Sequence, residues 1–511
     1  MENRTKNSVR NIIWGFLQKI VAIIGPFAVR TVLIYKLGAE YSGLNSLFTS
    51  ILSILSLTEL GFSNAIVYSM YKPVAERDTK TINAFLNIYK KIYRLIGLII
   101  FLLGLALLPL LRYLISKDMP QDVNLYVLYL VFLINTTLSY LLFAYKTSVL
   151  SAYQREDLIS KNIILVNICT YALQILSVLF FSNYYYYVLI LPISTVVLNF
   201  ANKRVADKNF PEIHCEGFIS QVEKEELKKR VVGLTIWKVG AATRNTFDSV
   251  VISMYYGLTT VAIYNNYFYI INGINTIFAV ISTSITAGVG NKIASASSEE
   301  NYRDLEKFHF IYMWISGMAT VLLLCDFQPF MHIWMGEKLM FSNFTMVLFC
   351  YYFWMMKQGD MNSVYYQAAG LWWQGKWRSI VEAAINISLN LLLGFFWGVN
   401  GIIVATIVAY TAIYFYGPKF VYIYYFRNGK LKDFYLSNLK SFLIVFLAGG
   451  ASYFICYQIN YFLNSAFFSI LMNSIVCILL YNTIFIIIYS KSDIYSVSKK
   501  WIFDKIQKRY K

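Results

Sequence analysis

Residues 238–258 read KVGAATRNTFDSVVISMYYGL. The stretch is apolar enough to cross a bilayer and is flanked by others like it, yet it carries Lys238, Arg244 and Asp248. An ionisable group at mid-bilayer costs from about 2.5 kcal/mol upward, so such groups face a bundle interior or a wet cavity. They mark either a staple between helices or a path for cargo. Composition decides that the stretch lies in lipid. Of 511 residues, 58% are hydrophobic and 14% charged, whereas soluble domains are about a quarter charged. Apolar runs of about 20 residues, enough to span the hydrocarbon as helix, recur from end to end. The fold class expected is an all-α polytopic membrane protein.

Fourteen transmembrane helices are expected, at roughly 12–35, 44–70, 93–115, 123–145, 162–181, 184–201, 232–255, 259–290, 308–330, 341–367, 379–398, 400–426, 441–461 and 465–490. Turn signals separate them: KLGAEYSG, KDMPQD, FSNYYYY and WGVNG on one side, YKPVAERDTK, YQREDLISK and FRNGKLKD on the other. Loops, tails and the adjoining span ends on the N-terminal side hold 35 Lys and Arg, and those on the opposite side hold four (Lys36, Arg112, Lys117, Lys338). The remaining six, Lys19, Arg30, Lys238, Arg244, Lys357 and Lys419, fall further inside spans. Lys and Arg stay on the cytoplasmic side of bacterial and eukaryotic membranes alike, so both termini are expected in the cytoplasm, which requires an even number of spans. The net charge of +18 is explained by these loops, and no nucleic acid partner is expected. The opening MENRTKNSVR leads into an apolar run without a small-residue cleavage site, as a retained first span does.

The longest cytoplasmic loop, 202–231, is the expected seam. Residues 1–201 form an N-terminal lobe of spans 1–6 and 232–430 a C-terminal lobe of spans 7–12. Residues 431–490 add spans 13–14, and 491–511 a basic cytoplasmic tail. Within the loop, Ser220 and Glu223 have capping-box spacing for a helix. In the tail, Ile494, Val497, Trp501, Ile502 and Ile506 share one helical face, as in a helix lying on anionic lipid. Tyrosines gathered at span ends, such as Tyr184–Tyr187, suit a belt at the headgroups, with interior ones left for sugar stacking. LIYKLGAEYSGLNSLF (33–48) can be laid on ISMYYGLTTVAIYNNYF (252–268), matching Gly38 to Gly257, which hints at the internal repeat common in secondary transporters.

Arg244 falls near the centre of span seven, and Asp248 follows at i+4, where the two can pair. Lys238 lies nearer the cytoplasmic surface, where it either snorkels or lines a cavity. Arg30 sits in the outer half of span one beyond Pro26; Glu59 lies in LTELGFSNA, Lys357 and Asp360 in span ten, and Glu382 in VEAAINISLN. Basic groups outnumber acidic ones, which suits an anionic cargo. Arg30, Lys238, Arg244 and Lys357 are the candidate cargo contacts; Asp248, Glu59, Glu382 and Asp360 are candidates for charge pairing or ion coupling. The six cysteines are scattered singly and His214, His309 and His332 lie far apart, so neither metal nor other cofactor is expected. No G-x-x-x-x-G-K-[ST] phosphate loop is present. Outer loops are short and carry few charges, unlike the large catalytic loop expected of a membrane glycan polymerase or ligase, so no enzyme is expected.

LGAEYSGLNSLFTSILSILSLTELGFSNAIVYSMYKPVAERD, with its L-G-x-x-x-x-G-L turn and later E-L-G-x-x-x-A-I, resembles the start of polysaccharide repeat-unit exporters. KVGAATRNTFDSVVISMYYGLTTVAIYNNY, with Asp248, Gly257 and Tyr264, is similar to the opening of their second half. GNKIA and EAAINISLNLLLGFFWGVNGIIVATI follow in the same order. The family is the Wzx-type oligosaccharide flippases of the MATE/MOP superfamily. The resemblance implies a V of two six-helix lobes around a central cavity plus two C-terminal helices. It also implies that undecaprenyl-diphosphate-linked oligosaccharides cross the bacterial cytoplasmic membrane to the outer leaflet, for O-antigen, capsule or other polysaccharide. A cationic cavity would offset desolvation of the diphosphate, with Arg30, Arg244 and Lys238 nearest it. Lobe rocking would be coupled to a proton gradient or the membrane potential. Membrane lipids, a polysaccharide polymerase and a chain-length regulator are the implied partners. A peptidoglycan-precursor flippase shares the lipid diphosphate and is the nearer alternative. A MATE-type drug exporter, favouring cationic cargo, fits the basic interior less well.

Overall fold

The computed structural model describes residues 2–56, 62–371, 374–427, 429–463 and 465–507; the side chains of 232–245 and of a few other helical positions lie outside the description. Among the described residues every regular element is helical. Lipid imposes this, because a helix satisfies its backbone hydrogen bonds within its own segment.

The chain divides into two compact units, Met1–Asn265 and Asn266–Lys511. The first holds α1 (Glu2–Lys36), α2 (Ala39–Leu55), α3 (Phe62–Glu76), α4 (Thr79–Leu107), α5 (Leu125–Leu141), α6 (Thr147–Ala152), α7 (Glu156–Phe181), α8 (Tyr184–Asn209), α9 (Gln221–Tyr256) and the first turns of α10 (Leu258–Ser295). There α1 packs along α7, α7 on α8, α8 on α5 and α5 on α4, while α9 packs on α2 and α3. The second unit holds the rest of α10, α11 (Ser298–Met335), α12 (Asn343–Lys357), α13 (Asp360–Ala368), α14 (Lys376–Phe420), α15 (Leu431–Phe462), α16 (Ala466–Tyr489) and α17 (Asp493–Gln507). Its hub is α11, which contacts α12, α15, α16 and α17.

The described residues of the expected spans are mostly helical, while residues 57–61 of the second, 44–70, lie outside the description. Nine helices among the described residues are long and apolar enough to cross a membrane, and α5 with the segment through α6 makes a tenth, bent by 42°. The tenth expected span is broken between α12 and α13 at Gln358–Gly359. Residues Trp377–Phe426 run for 50 residues, which as one straight helix is about 75 Å. They do not run straight: at Gly398 the backbone turns to φ 68°, ψ −149°, and Asn386 donates to Thr406 Oγ1 at 3.0 Å across the turn. The WGVNG signal therefore reverses the chain, giving spans eleven and twelve.

The turn chemistry follows the sequence. Asn124 caps α5 by accepting from the Tyr126 and Val127 N–H groups at 3.0 and 3.2 Å, and Asn183 caps α8 through Tyr185 N–H at 2.8 Å. The Ser220–Glu223 capping box forms in both directions, at 3.2 Å from Glu223 N–H to Ser220 Oγ and 2.8 Å from Ser220 N–H to Glu223 Oε2. Gly38 and Gly257, matched in the two candidate repeats, open α2 and α10 with φ 130° and 84°. Such angles suit a residue without Cβ, so the match extends from sequence to backbone.

Large apolar side chains such as Leu102, Phe180, Phe395, Phe446 and Ile487 stand exposed along the helices, as lipid-facing positions do. Tyrosines divide between surface and core. In the Tyr184–Tyr187 run, Tyr184 and Tyr187 are buried while Tyr186 is exposed. Two of the four thus pack inside the bundle. The tail helix α17 forms as expected and docks on α11, with Trp501 edge-on to Phe308 at 5.6 Å.

Candidate functional site

In the first unit, four helices bring polar groups together towards the C-terminal end of α1. The Arg30 guanidinium donates to the Ala262 carbonyl of α10 at 3.0 Å and to Ser46 Oγ of α2 at 3.4 Å. Two residues beyond Ala262, the Tyr264 hydroxyl donates to Asp248 Oδ2 of α9 at 2.6 Å. Asp248 is 1% exposed, a carboxyl that lipid and apolar packing would otherwise penalise heavily. Asn265 adds a bond to Ser249 Oγ at 3.1 Å. The local cause is a close approach: a Cβ on Gly43 would lie 2.0 Å from the Leu258 carbonyl oxygen. Only glycine lets α2 meet the start of α10 at that spacing. The arrangement can hold a cation and a carboxyl in one low-dielectric pocket, each bonded to the first turns of α10.

Lys238 and Arg244 lie on α9, and their side chains are outside the described residues, as is Glu59 altogether. The expected Arg244–Asp248 pairing therefore stays an expectation.

In the second unit, Lys357 and Asp360 are brought together at the break between α12 and α13. Lys357 Nζ donates to Asp360 Oδ2 at 2.8 Å, with side chains 5% and 30% exposed. The Tyr312 hydroxyl of α11 donates to the same carboxylate. Lys357 also faces the rings of Phe278 at 5.3 Å and Phe353 at 5.8 Å, a favourable setting for a cation. Glu382 is buried on α14, in line with Asn386 and Asn390 at successive i+4 steps. Asn390 donates to Asn386 at 3.3 Å, so VEAAINISLN presents a polar stripe to the returning half of α14.

Sequence reasoning identified the charged members of these clusters and missed Ser46 and Tyr312. The i−4 spacing of serines and the abundance of tyrosine gave no signal to single them out. It also read the cysteines as isolated, whereas Cys325, Cys456 and Cys477 come together with their sulfurs all within 4.8 Å of one another.

No family model and no curated protein matches the sequence. Solved structures do match the fold. The lipid II flippase MurJ, in an inward closed conformation, superposes with TM-score 0.65 at 15% identity, covering 94% of this chain and 99% of that one. A multidrug resistance MATE family transporter of the MOP superfamily, facing inward, gives TM-score 0.61 at 13% identity, covering 78% of this chain and 93% of that one. A MATE transporter of Vibrio cholerae gives 0.56 at 12% identity, covering 83% and 98%. The chain is an all-α, multi-pass membrane protein with the fold these flippases and transporters share.

Proposed function

We propose that the protein is a flippase that carries lipid-diphosphate-linked oligosaccharide repeat units from the cytoplasmic to the outer leaflet by alternating access, for surface polysaccharide synthesis. The observation that carries this reading is the near end-to-end likeness to a protein named as a lipid II flippase, together with basic groups inside the spans. Lipid II is itself a sugar-bearing lipid diphosphate. The residues 1–201 and 232–430 act as the two lobes around a cavity, and 431–490 supply the additional pair. Arg30, Lys238 and Arg244 meet the diphosphate, because a multiply charged group leaving water needs charge-assisted hydrogen bonds in exchange. Lys357 is a further basic group in the second lobe. Asp248, Glu59, Glu382 and Asp360 pair these charges or carry the coupling ion. The membrane is the bacterial cytoplasmic membrane, with both termini inside, and a polymerase and chain-length regulator act on the delivered units.

A second reading, a peptidoglycan-precursor flippase, is favoured by the same structural neighbour. Deleting the gene and locating lipid-linked oligosaccharides by leaflet separates the two. Repeat units accumulating on the cytoplasmic face, with loss of surface polysaccharide, support the first reading. Accumulated peptidoglycan precursor supports the second. Normal outward movement with unpolymerised units collecting outside overturns both.

A further inference from the structure

Three cysteines from three helices meet inside the second unit. Cys325 lies on α11, Cys456 on α15 and Cys477 on α16; all three are buried and free, and their Sγ atoms lie within 4.8 Å of one another. We propose that they form a binding site for one thiophilic closed-shell metal ion, of the Zn2+ or Cu+ kind.

The geometry asks for little movement. Three sulfurs each about 2.3 Å from a common ion stand about 4.0 Å apart when planar around it. Contracting the observed triangle by under about 1 Å is within the reach of side-chain torsions on packed helices. The ligand type selects the ion, since thiolate sulfur favours Zn2+ and Cu+ over hard cations such as Mg2+ or Ca2+. The three thiols lose their protons to solvent as the ion binds.

A second observation points to a cation. Asp326, the neighbour of Cys325, is close enough to Cys456 and Cys477 to interact electrostatically. Its Oδ2 accepts from Ser474 at 2.8 Å, its carboxyl also takes a side-chain hydrogen bond from Asn473, and its Oδ1 is shut off from solvent. A carboxylate held among thiols away from water is costly, and a positive ion beside it lowers that cost. Access is provided by a cavity of about 400 Å³ lined in part by Cys325, Cys456, Gln328, His332, Met340 and Met346. It leads from two of the thiols past sulfur and imidazole groups to the α15–α16 turn, whose Leu463 and Ala466 also line it. Binding an ion there ties the last two spanning helices to α11, the hub of their unit.

The test uses the full chain, purified under reducing conditions in detergent and titrated with Zn2+, Cu+ or Cd2+. The expected result is one ion per chain by native mass spectrometry and a thiolate-to-Cd2+ charge-transfer band sized for three sulfurs. Cys477→Ser should weaken binding by at least about 100-fold, the upper end of what losing an outer-shell partner costs. Asp326→Asn should weaken it by about 10-fold. Cys350→Ser, a buried thiol outside the trio, should leave it unchanged. No ion retained by the wild type, a band for fewer than three sulfurs, or equal loss in Cys350→Ser overturns the site. So does a disulfide between two of the three in freshly purified protein. The wild-type mass and spectrum stand alone should a variant fail to fold.

Discussion

Replacing Asp360 by Asn tests whether the Lys357–Asp360 pair is a staple or a cargo contact. The amide keeps an acceptor for the Tyr312 hydroxyl, so the substitution removes charge and little else. Lys357, 5% exposed in its side chain, then keeps the Phe278 and Phe353 ring faces, and its ion partner is gone. Removing one member of a buried ion pair costs about 3–5 kcal/mol. Asp360 is 30% exposed, which places the expectation at the low end, about 3 kcal/mol, or about 100-fold in the unfolding equilibrium. Lys357→Met added to Asp360→Asn removes the orphaned charge, and replacing both members of a buried pair is often nearly neutral. The double variant should return to within about 1 kcal/mol of wild type. The assay is unfolding in mixed micelles titrated with SDS, read beside glycan export in a cell lacking other flippases. A staple predicts that the double variant regains both stability and export. A cargo contact predicts regained stability with export still lost. Asp360→Asn unfolding with wild type, or the double variant as fragile as the single, would refute the pairing argument itself.

Three further outcomes follow from contacts in the first unit. Gly43→Val should destabilise by about 3 kcal/mol or more, because its Cβ meets the Leu258 backbone oxygen at 2.0 Å and no flexible side chain can give way; normal yield and SDS resistance would contradict it. Tyr264→Phe removes the 2.6 Å bond to Asp248 and should cost about 1–3 kcal/mol; an unchanged unfolding midpoint would show that Asp248 does not depend on it. Ser220→Ala removes the cap at the start of α9 and should cost about 1 kcal/mol, seen as faster amide exchange over 221–226 with export unchanged.

Much of the fold was legible because lipid enforces one-dimensional rules. Apolar run length located most of the long helices, and Gly398, Asn183 and the Ser220–Glu223 box acted through local backbone chemistry. The sites were half legible. A charge in an apolar run is visible in sequence, but its partner is chosen by packing: Tyr312 reaches Asp360 across 48 residues and Arg30 reaches Ala262 across 232. Apolar residues face both lipid and core in a membrane bundle, so periodicity cannot say which flank turns inward. The same blindness hid the cysteine trio, whose members are far apart in the chain and carry no spacing signal.

The first-unit cluster has a consequence for transport on the proposed reading. Arg30 holds α10 through a backbone carbonyl, and that carbonyl precedes by two residues the tyrosine that holds Asp248. The start of α10 therefore anchors a basic group on α1 and an acidic group on α9 through bonds that are individually modest. A phosphate offers Arg30 charge-assisted, bidentate contacts about twice as strong as a bond to a neutral carbonyl. An arriving diphosphate can thus draw Arg30 from Ala262 and loosen α1 and α2 from α10 in the same act. Arg30→Lys keeps the charge and loses the fork that spans Ser46 and Ala262 at once. If cargo binding and release of α10 are linked through that fork, the lysine variant should bind lipid diphosphate yet move it slowly. If charge alone matters, it should transport as wild type does.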